Sequence, residues 1–147
     1  MTSTRTLQLA SSRAQPIVVL ANGVFDILHI GHLLYLEAAA KMGDILVVSI
    51  TADAFVNKGP GRPMFPEAQR AKMVGALKCV DRTIIVNSAL EALETVKPDI
   101  FVKGPDYIGN IQTIHADYCR NHGIEILFTD TPIYSATKII NDRLGFG

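Results

Sequence analysis

The chain has 147 residues, 48% of them hydrophobic and 19% charged, enough apolar material for one sizeable core and too little length to divide into two. Lysine plus arginine equal aspartate plus glutamate at 14 each, so no global field exists to hold a long nucleic acid, and any anion site must be local. No apolar run approaches the roughly eighteen residues that a bilayer demands, and Cys79 and Cys119 lie far apart in apolar or helical surroundings, which suits buried thiols in a reducing cytoplasm better than a disulfide framework.

Residues 1–15 are rich in Ser and Thr, carry Arg5 and Arg13 without an acid, and lack the apolar segment of a secretory signal. They read as a disordered tail or a linker remnant, with a transit peptide as the alternative, and residues 16–147 as one domain. Ile17 to Ala21 is a short β-branched run closed by Asn22-Gly23, as expected of a buried strand entering a loop. From Gly31 a helix carries Leu33, Leu36 and Ala40 on one stripe, and Gly43 supplies its stop. Asp44 to Ile50 is a second strand, and 58–63, KGPGRP, is a loop of turn formers. Pro66-Glu67 opens a helix to about Leu77, because proline at a helical start loses no hydrogen bond. Strands follow at Arg82 to Val86, Asp99 to Val102 and Ile124 to Phe128, with helices at Ala89 to Val96, Ile111 to Asn121 and Ser135 to Leu144. Apolar strands alternating with amphipathic helices predict an α/β domain, a five-stranded parallel sheet with helices on both faces. Ligands bind such sheets beyond the carboxyl ends of the strands, where strand order reverses. The loops 22–32, 51–66, 103–110 and 129–138 are therefore the informative ones.

The first of these contains His29-Ile-Gly-His32, running into a helix start. Free backbone N–H groups and the positive end of the helix dipole favour a phosphate there. Histidines three apart project to one side of a helical turn, and Gly31 leaves room for an anion to reach the backbone. The spacing is not that of a helical zinc site and no third ligand lies nearby, so no protein-held metal is predicted. Lys58 and Arg62 bracket a Gly-Pro-Gly turn where two cations could hold phosphates. Arg70 and Lys72 read as a solvated basic helix face, His115 and His122 as structural, and Pro105 and Tyr107 either as parts of a turn or as parts of a ligand-framing loop. Ser135 is placed to cap the last helix, whose hydroxyls and amides also suit phosphates. Asp26 is placed to hold its loop by accepting backbone N–H bonds rather than to ligate a metal.

Residues 23–32, GVFDILHIGH, together with KGPGRP at 58–63, PDIFVKGPDY at 98–107 and SATKII at 135–140, resemble the cytidylyltransferase-like nucleotidyltransferase family over nearly all of residues 17–144. The resemblance implies a Rossmann-like HxGH fold in which a phosphate monoester attacks the α-phosphorus of a nucleoside triphosphate and pyrophosphate leaves, without a covalent intermediate. It implies that His29, His32 and Lys58 serve the chemistry, and that Asn22, Gly23, Phe25, Gly31, Arg62, Lys103, Gly104, Asp106, Ser135 and Thr137 frame the nucleotide. Mg²⁺ would come with the triphosphate, bound by phosphates and water. The partners implied are those two small molecules and a second copy of the chain as a homodimer, with neither nucleic acid nor membrane.

Within the family, KGPGRP and VKGPDY most resemble domains that adenylylate a heptose 1-phosphate, so transfer of AMP from ATP to D-glycero-D-manno-heptose 1-phosphate, in nucleotide-sugar biosynthesis, is the expected activity. Transfer from CTP to glycerol 3-phosphate or a similar monoester is the alternative, and a non-catalytic nucleotide-binding module a further one. Cytidylyltransferases carry an Arg before a Gly-Ile-Ser-Thr-Thr run; here Asp130 and Ala136 occupy the Arg and first Thr positions, which counts against CTP. The string HIGH also occurs in class I aminoacyl-tRNA synthetases, but this chain has neither the length nor the charge for a tRNA-reading domain.

Overall fold

The computed structural model describes residues 15–134, 138 and 141–143. The elements are β1 (Val18–Gly23), α1 (Ile30–Ala40), β2 (Ile45–Thr51), α2 (Glu67–Gly75), β3 (Arg82–Val86), α3 (Ala89–Val96), β4 (Ile100–Lys103), α4 (Thr113–Asn121) and β5 (Glu125–Phe128). The expected tail, Ser135, Thr137 and most of the closing helix lie outside the described residues, although 138 and 141–143 are helical. Among the described residues no helix is long and apolar enough to cross a membrane.

The strands form one sheet in the order β3-β2-β1-β4-β5, every neighbouring pair parallel. Strand order reverses between β1 and β4, so the loops leaving these two strands flank the crevice expected to bind ligand. Alternation along the strands divides the core into two layers. Val19, Ala21, Leu46 and Val48 face Leu36 and Ala39 of α1 and Val74 of α2. Leu20, Val47 and Phe101 face Ala92 and Leu93 of α3 and Cys119 of α4. Strands buried on both faces explain why β1 and β2 read as continuous apolar runs.

Polar anchors fix the sheet register at its amino ends. Asp44 accepts the Ile17 N–H at 2.7 Å, Asp81 the Leu46 N–H at 2.7 Å and Asp99 the Val18 N–H at 2.8 Å. At the opposite end, Arg70 departs from its expected solvated position: it is only 2% exposed. Its guanidinium donates to the carbonyls of Phe65 (2.9 Å), Val24 (2.9 Å) and Thr51 (2.8 Å), and to the Asp53 carboxylate at 2.6 Å. A planar fork with five N–H donors can satisfy several carbonyls and a carboxylate at once, which is why a charged residue occupies the inner stripe of α2 beside Val74. Lys72 is exposed, as expected.

Candidate active site

A cavity of about 270 Å³ opens at the carboxyl ends of β1 and β4. The two histidines lie on its wall at the start of α1. His29 is the N-cap residue, and its Nδ1 accepts the Gly31 N–H at 3.1 Å, while Nδ1 of His32 accepts the His29 N–H at 3.2 Å. This is a reciprocal capping box built from imidazoles instead of Ser and Glu. The rings stack with centroids 3.8 Å apart and planes inclined by 24°; both lie to one side as expected, but His29 is extended at φ −144° and ψ 179°, so the capping bonds and not helical spacing bring them together.

Those caps fix the chemistry of the pair. A nitrogen that accepts an N–H bond carries no proton, so in each neutral ring the hydrogen sits on Nε2. Both rings are neutral at ordinary pH: burial and then the Lys58 charge push His29 down, and burial, His29 and Lys58 push His32 down to about 4. Nε2 of His29 is buried and has no partner among the described residues. The imidazoles thus take up amides at the helix start and re-present them one ring further out as Nε2–H donors. The Gly31 N–H, expected to be open to an anion, is consumed by His29. Gly31 is needed for another reason: a Cβ there would lie 2.8 Å from the Tyr134 ring and 2.9 Å from the His29 ring.

Cations approach from two directions. Lys58, exposed on its loop, lines the cavity, and its pKa is lowered by burial and by Arg62, with Asp26 opposing. Lys103, the last residue of β4, is 8% exposed, with Nζ 4.0 Å from the Tyr107 ring centroid and 5.4 Å from that of Phe101. Burial lowers its pKa while Asp106 opposes the shift, and no carboxylate of the described residues pairs with it. A desolvated ammonium against an aromatic face is poised for an anion supplied from outside.

Asn22, Gly23, Gly104 and Asp106 also line the cavity. Gly104 gives way to Asp106, whose Oδ1 would stand 2.8 Å from a Cβ at that position. Phe25 lines the cavity too, but as a buried support: its ring covers Gly23 and meets His32 edge-on at 5.1 Å. Arg62 departs from its expected role on phosphate. It turns into the protein, where Nε donates to the Asp26 carboxylate at 2.9 Å and a terminal nitrogen donates to the Asp26 carbonyl. A carboxylate 1% exposed must be paired, and the guanidinium fork fits it. Asp26 also accepts the Met64 N–H at 2.8 Å and the Phe65 N–H at 3.0 Å. Burial alone would raise the pKa of Asp26, but these bonds and Arg62 together hold it below the ordinary carboxylate range. Its expected role in holding the loop is the role it has.

Some wall residues were not singled out from the sequence, among them Val24 after β1 and Thr131, Pro132, Ile133 and Tyr134 after β5. Tyr35 is another, its hydroxyl donating to the Val102 carbonyl at 2.8 Å. Tyr35 was accessible to reasoning, since it lies one helical turn beyond His32; the loop residues obey no spacing rule.

A family model described as cytidylyltransferase-like matches residues 20–142. The bifunctional protein HldE of Syntrophotalea carbinolica is 41% identical over 131 residues, covering 86% of this chain and 26% of that protein. The bifunctional protein HldE of Campylobacter fetus is 41% identical over 141 residues, covering 93% of this chain and 30% of that protein. The chain therefore spans between a quarter and a third of the length of these relatives. Among solved structures, the lipopolysaccharide core biosynthesis protein of Thermoplasma volcanium superposes with a TM-score of 0.69 at 33% identity, covering 81% of this chain and 100% of that one.

Proposed function

Since the chain belongs to the cytidylyltransferase-like family of nucleotidyltransferases, we propose that it transfers AMP from ATP to a sugar 1-phosphate, D-glycero-D-manno-heptose 1-phosphate being the acceptor we favour. The observation that carries this reading is the stacked histidine pair on the cavity wall, its Nδ1 atoms taken up by backbone amides and its His29 Nε2 without a partner among the described residues, beside two cations. Support for the adenylyl branch comes from the KGPGRP and VKGPDY segments and from Asp130 standing where cytidylyltransferases carry an arginine.

An oxygen of the acceptor phosphate forms a bond to the α-phosphorus, the bond from that phosphorus to the bridging oxygen breaks, and pyrophosphate departs with the electron pair. The attacking oxygen is already anionic, so no general base is needed; alignment and charge stabilisation suffice. His29 and His32 donate Nε2–H to phosphate oxygens as charge moves to the leaving group, and Lys58 and Lys103 neutralise it. Asp106 is the only carboxylate among the described residues lining the cavity, and the described residues contain no cluster of three His, Cys, Asp or Glu placed for a metal. This donor set fits a Mg²⁺ held by phosphates and water, which would supply further charge neutralisation.

The test is a matrix of ATP and CTP against heptose 1-phosphate and glycerol 3-phosphate, scored by pyrophosphate release. ATP with heptose 1-phosphate should be the fastest pair. Preference for CTP with glycerol 3-phosphate would overturn the specificity, and tight ATP binding without pyrophosphate from any acceptor would leave a nucleotide-binding module in place of an enzyme.

A further inference from the structure

Tyr35 lies on the wall of the cavity one helical turn beyond His32, and its hydroxyl donates to the Val102 carbonyl at 2.8 Å, across 67 residues of sequence. Val102 is fully buried, and the next residue along β4 is Lys103. Among the described residues this is the one side-chain hydrogen bond that joins α1 to β4. We propose that Tyr35 is a positioning residue, whose hydroxyl holds the helix that bears the histidines at a fixed distance from the strand end that carries Lys103, so that imidazoles and ammonium meet one triphosphate. The inference rests on the nucleotidyltransferase reading above and adds to it the bond that spaces the donors.

The sheet itself does not supply that spacing. Pairing between β1 and β4 ends with Ala21 opposite Val102, whereas β1 continues beside β2 to Gly23 and β4 continues beside β5 to Lys103. From this rung the two strands part, and the crevice opens between them. Lys103 is held from its far side, where its carbonyl accepts the Thr129 N–H at 3.0 Å. The histidines are held by another element, through their caps and through Leu36 and Ala39, which seat α1 on β1 and β2. The donor set therefore stands on two banks of a gap, and the Tyr35 hydroxyl bridges them at the last shared rung.

A phenol suits this place. Its rigid ring carries a hydroxyl across the gap with few rotatable bonds to freeze. The hydroxyl gives its single hydrogen to Val102 and also meets the Asn22 backbone N–H on β1. Burial first, then Tyr107, raises its pKa well above that of an ordinary phenol, with the Asn22 N–H opposing, so Tyr35 keeps its proton throughout the working range. A hydroxyl whose hydrogen is committed to the protein has none to give a phosphate and no charge with which to act as a base. What Tyr35 contributes is therefore the placement of the groups it joins, and a displacement of about 1 Å in such groups costs about a hundredfold in rate.

The experiment is a double-mutant cycle of Tyr35→Phe and Lys103→Met, read by steady-state kinetics with ATP and heptose 1-phosphate, with circular dichroism to establish folding. Tyr35→Phe keeps the ring and removes the bond, so kcat should fall about tenfold to a hundredfold while the KM for ATP changes less than about twofold. In the Lys103→Met background the same substitution should cost less than about twofold, because the tie then holds no reacting group. Wild-type kcat in folded Tyr35→Phe, or equal losses in both backgrounds, would overturn the assignment; a Tyr35→Phe chain that does not fold would make the bond structural and overturn it too. If wild type releases no pyrophosphate with any acceptor, the proposed activity fails, and carbon-13 titration of the Lys103 side chain in ligand-free protein decides the tie alone. A Lys103 ammonium that titrates closer to ordinary lysine in Tyr35→Phe than in wild type has left its buried place and would uphold the tie. An unchanged titration would refute it.

Discussion

Asp26 and Arg62 form an ion pair across 36 residues of sequence, Nε to Oδ2 at 2.9 Å, with side-chain exposures of 0% and 7%. Together with the Met64 and Phe65 amides, this pair ties the loop that carries Lys58 to the loop that carries the histidines. Removing one partner strands a buried charge, so Asp26→Ala should destabilise the fold by about 3 to 5 kcal/mol. Urea denaturation checks it; an unchanged midpoint would mean that the loop is held by something else.

The tautomer of the histidine pair is directly observable. With each Nδ1 accepting a backbone N–H, nitrogen-15 spectra at neutral pH should show both Nδ1 atoms unprotonated and both Nε2 atoms protonated. Adding ATP should move the Nε2–H resonances while leaving the tautomer intact. Protonated Nδ1 atoms would contradict the capping arrangement.

His32 also makes stability depend on pH. Its pKa is pushed from the ordinary 6.5 down to about 4 by burial, then by His29 and Lys58. Between those values the unfolded chain holds a proton that the folded chain does not, so stability falls as pH falls through this window and is unaffected by the group above it. The loss is on the order of 3 kcal/mol across the window. Asp26, with its lowered pKa, contributes stability that goes only as pH drops further, below the ordinary carboxylate range. His32→Asn should flatten the first part of the curve, and identical curves for the two proteins would contradict the assigned cause.

Lys103 should show opposite effects on stability and activity. Among the described residues its buried ammonium meets only ring faces, so Lys103→Met, which keeps the length and removes the charge, should leave the ligand-free protein as stable or more stable by about 1 kcal/mol. Turnover should nevertheless fall about a hundredfold or more. Thermal denaturation and kcat/KM measured on the same preparation check both signs; a destabilised variant with full activity would make Lys103 a structural residue.

These residues also show what a sequence discloses. The strands and helices were legible because burial on both faces leaves unbroken apolar runs such as residues 45–48, and β3 and α3 fall on the residues expected. The histidine pair was legible from its place at a helix start after the first strand, although the rings come together through their reciprocal capping bonds and not through helical spacing, since His29 is extended at φ −144° and ψ 179°. Arg62 was not, since spacing gives no sign of whether a guanidinium meets a ligand or a carboxylate 36 residues away. Arg70 was misread for a related reason. Its place four residues before the buried Val74 marked the inner stripe of α2, but charge outweighed that signal until the three carbonyls it satisfies came into view. The loop 129–138 was legible as one that leaves a strand at the ligand end of the sheet, but which of its residues form the wall, 131–134, depends on packing that no local pattern encodes.

The central claim is that two neutral imidazoles, oriented by the first turn of α1, stabilise the charge that develops on the phosphates. Pyrophosphate release by folded His29→Ala and His32→Ala, measured with saturating ATP and acceptor, tests it most directly. Each variant should lose about a hundredfold to a thousandfold in kcat, the effect of removing one well-aimed donor, with a far-ultraviolet circular dichroism spectrum like that of wild type. Turnover at the wild-type rate in either folded variant would contradict it.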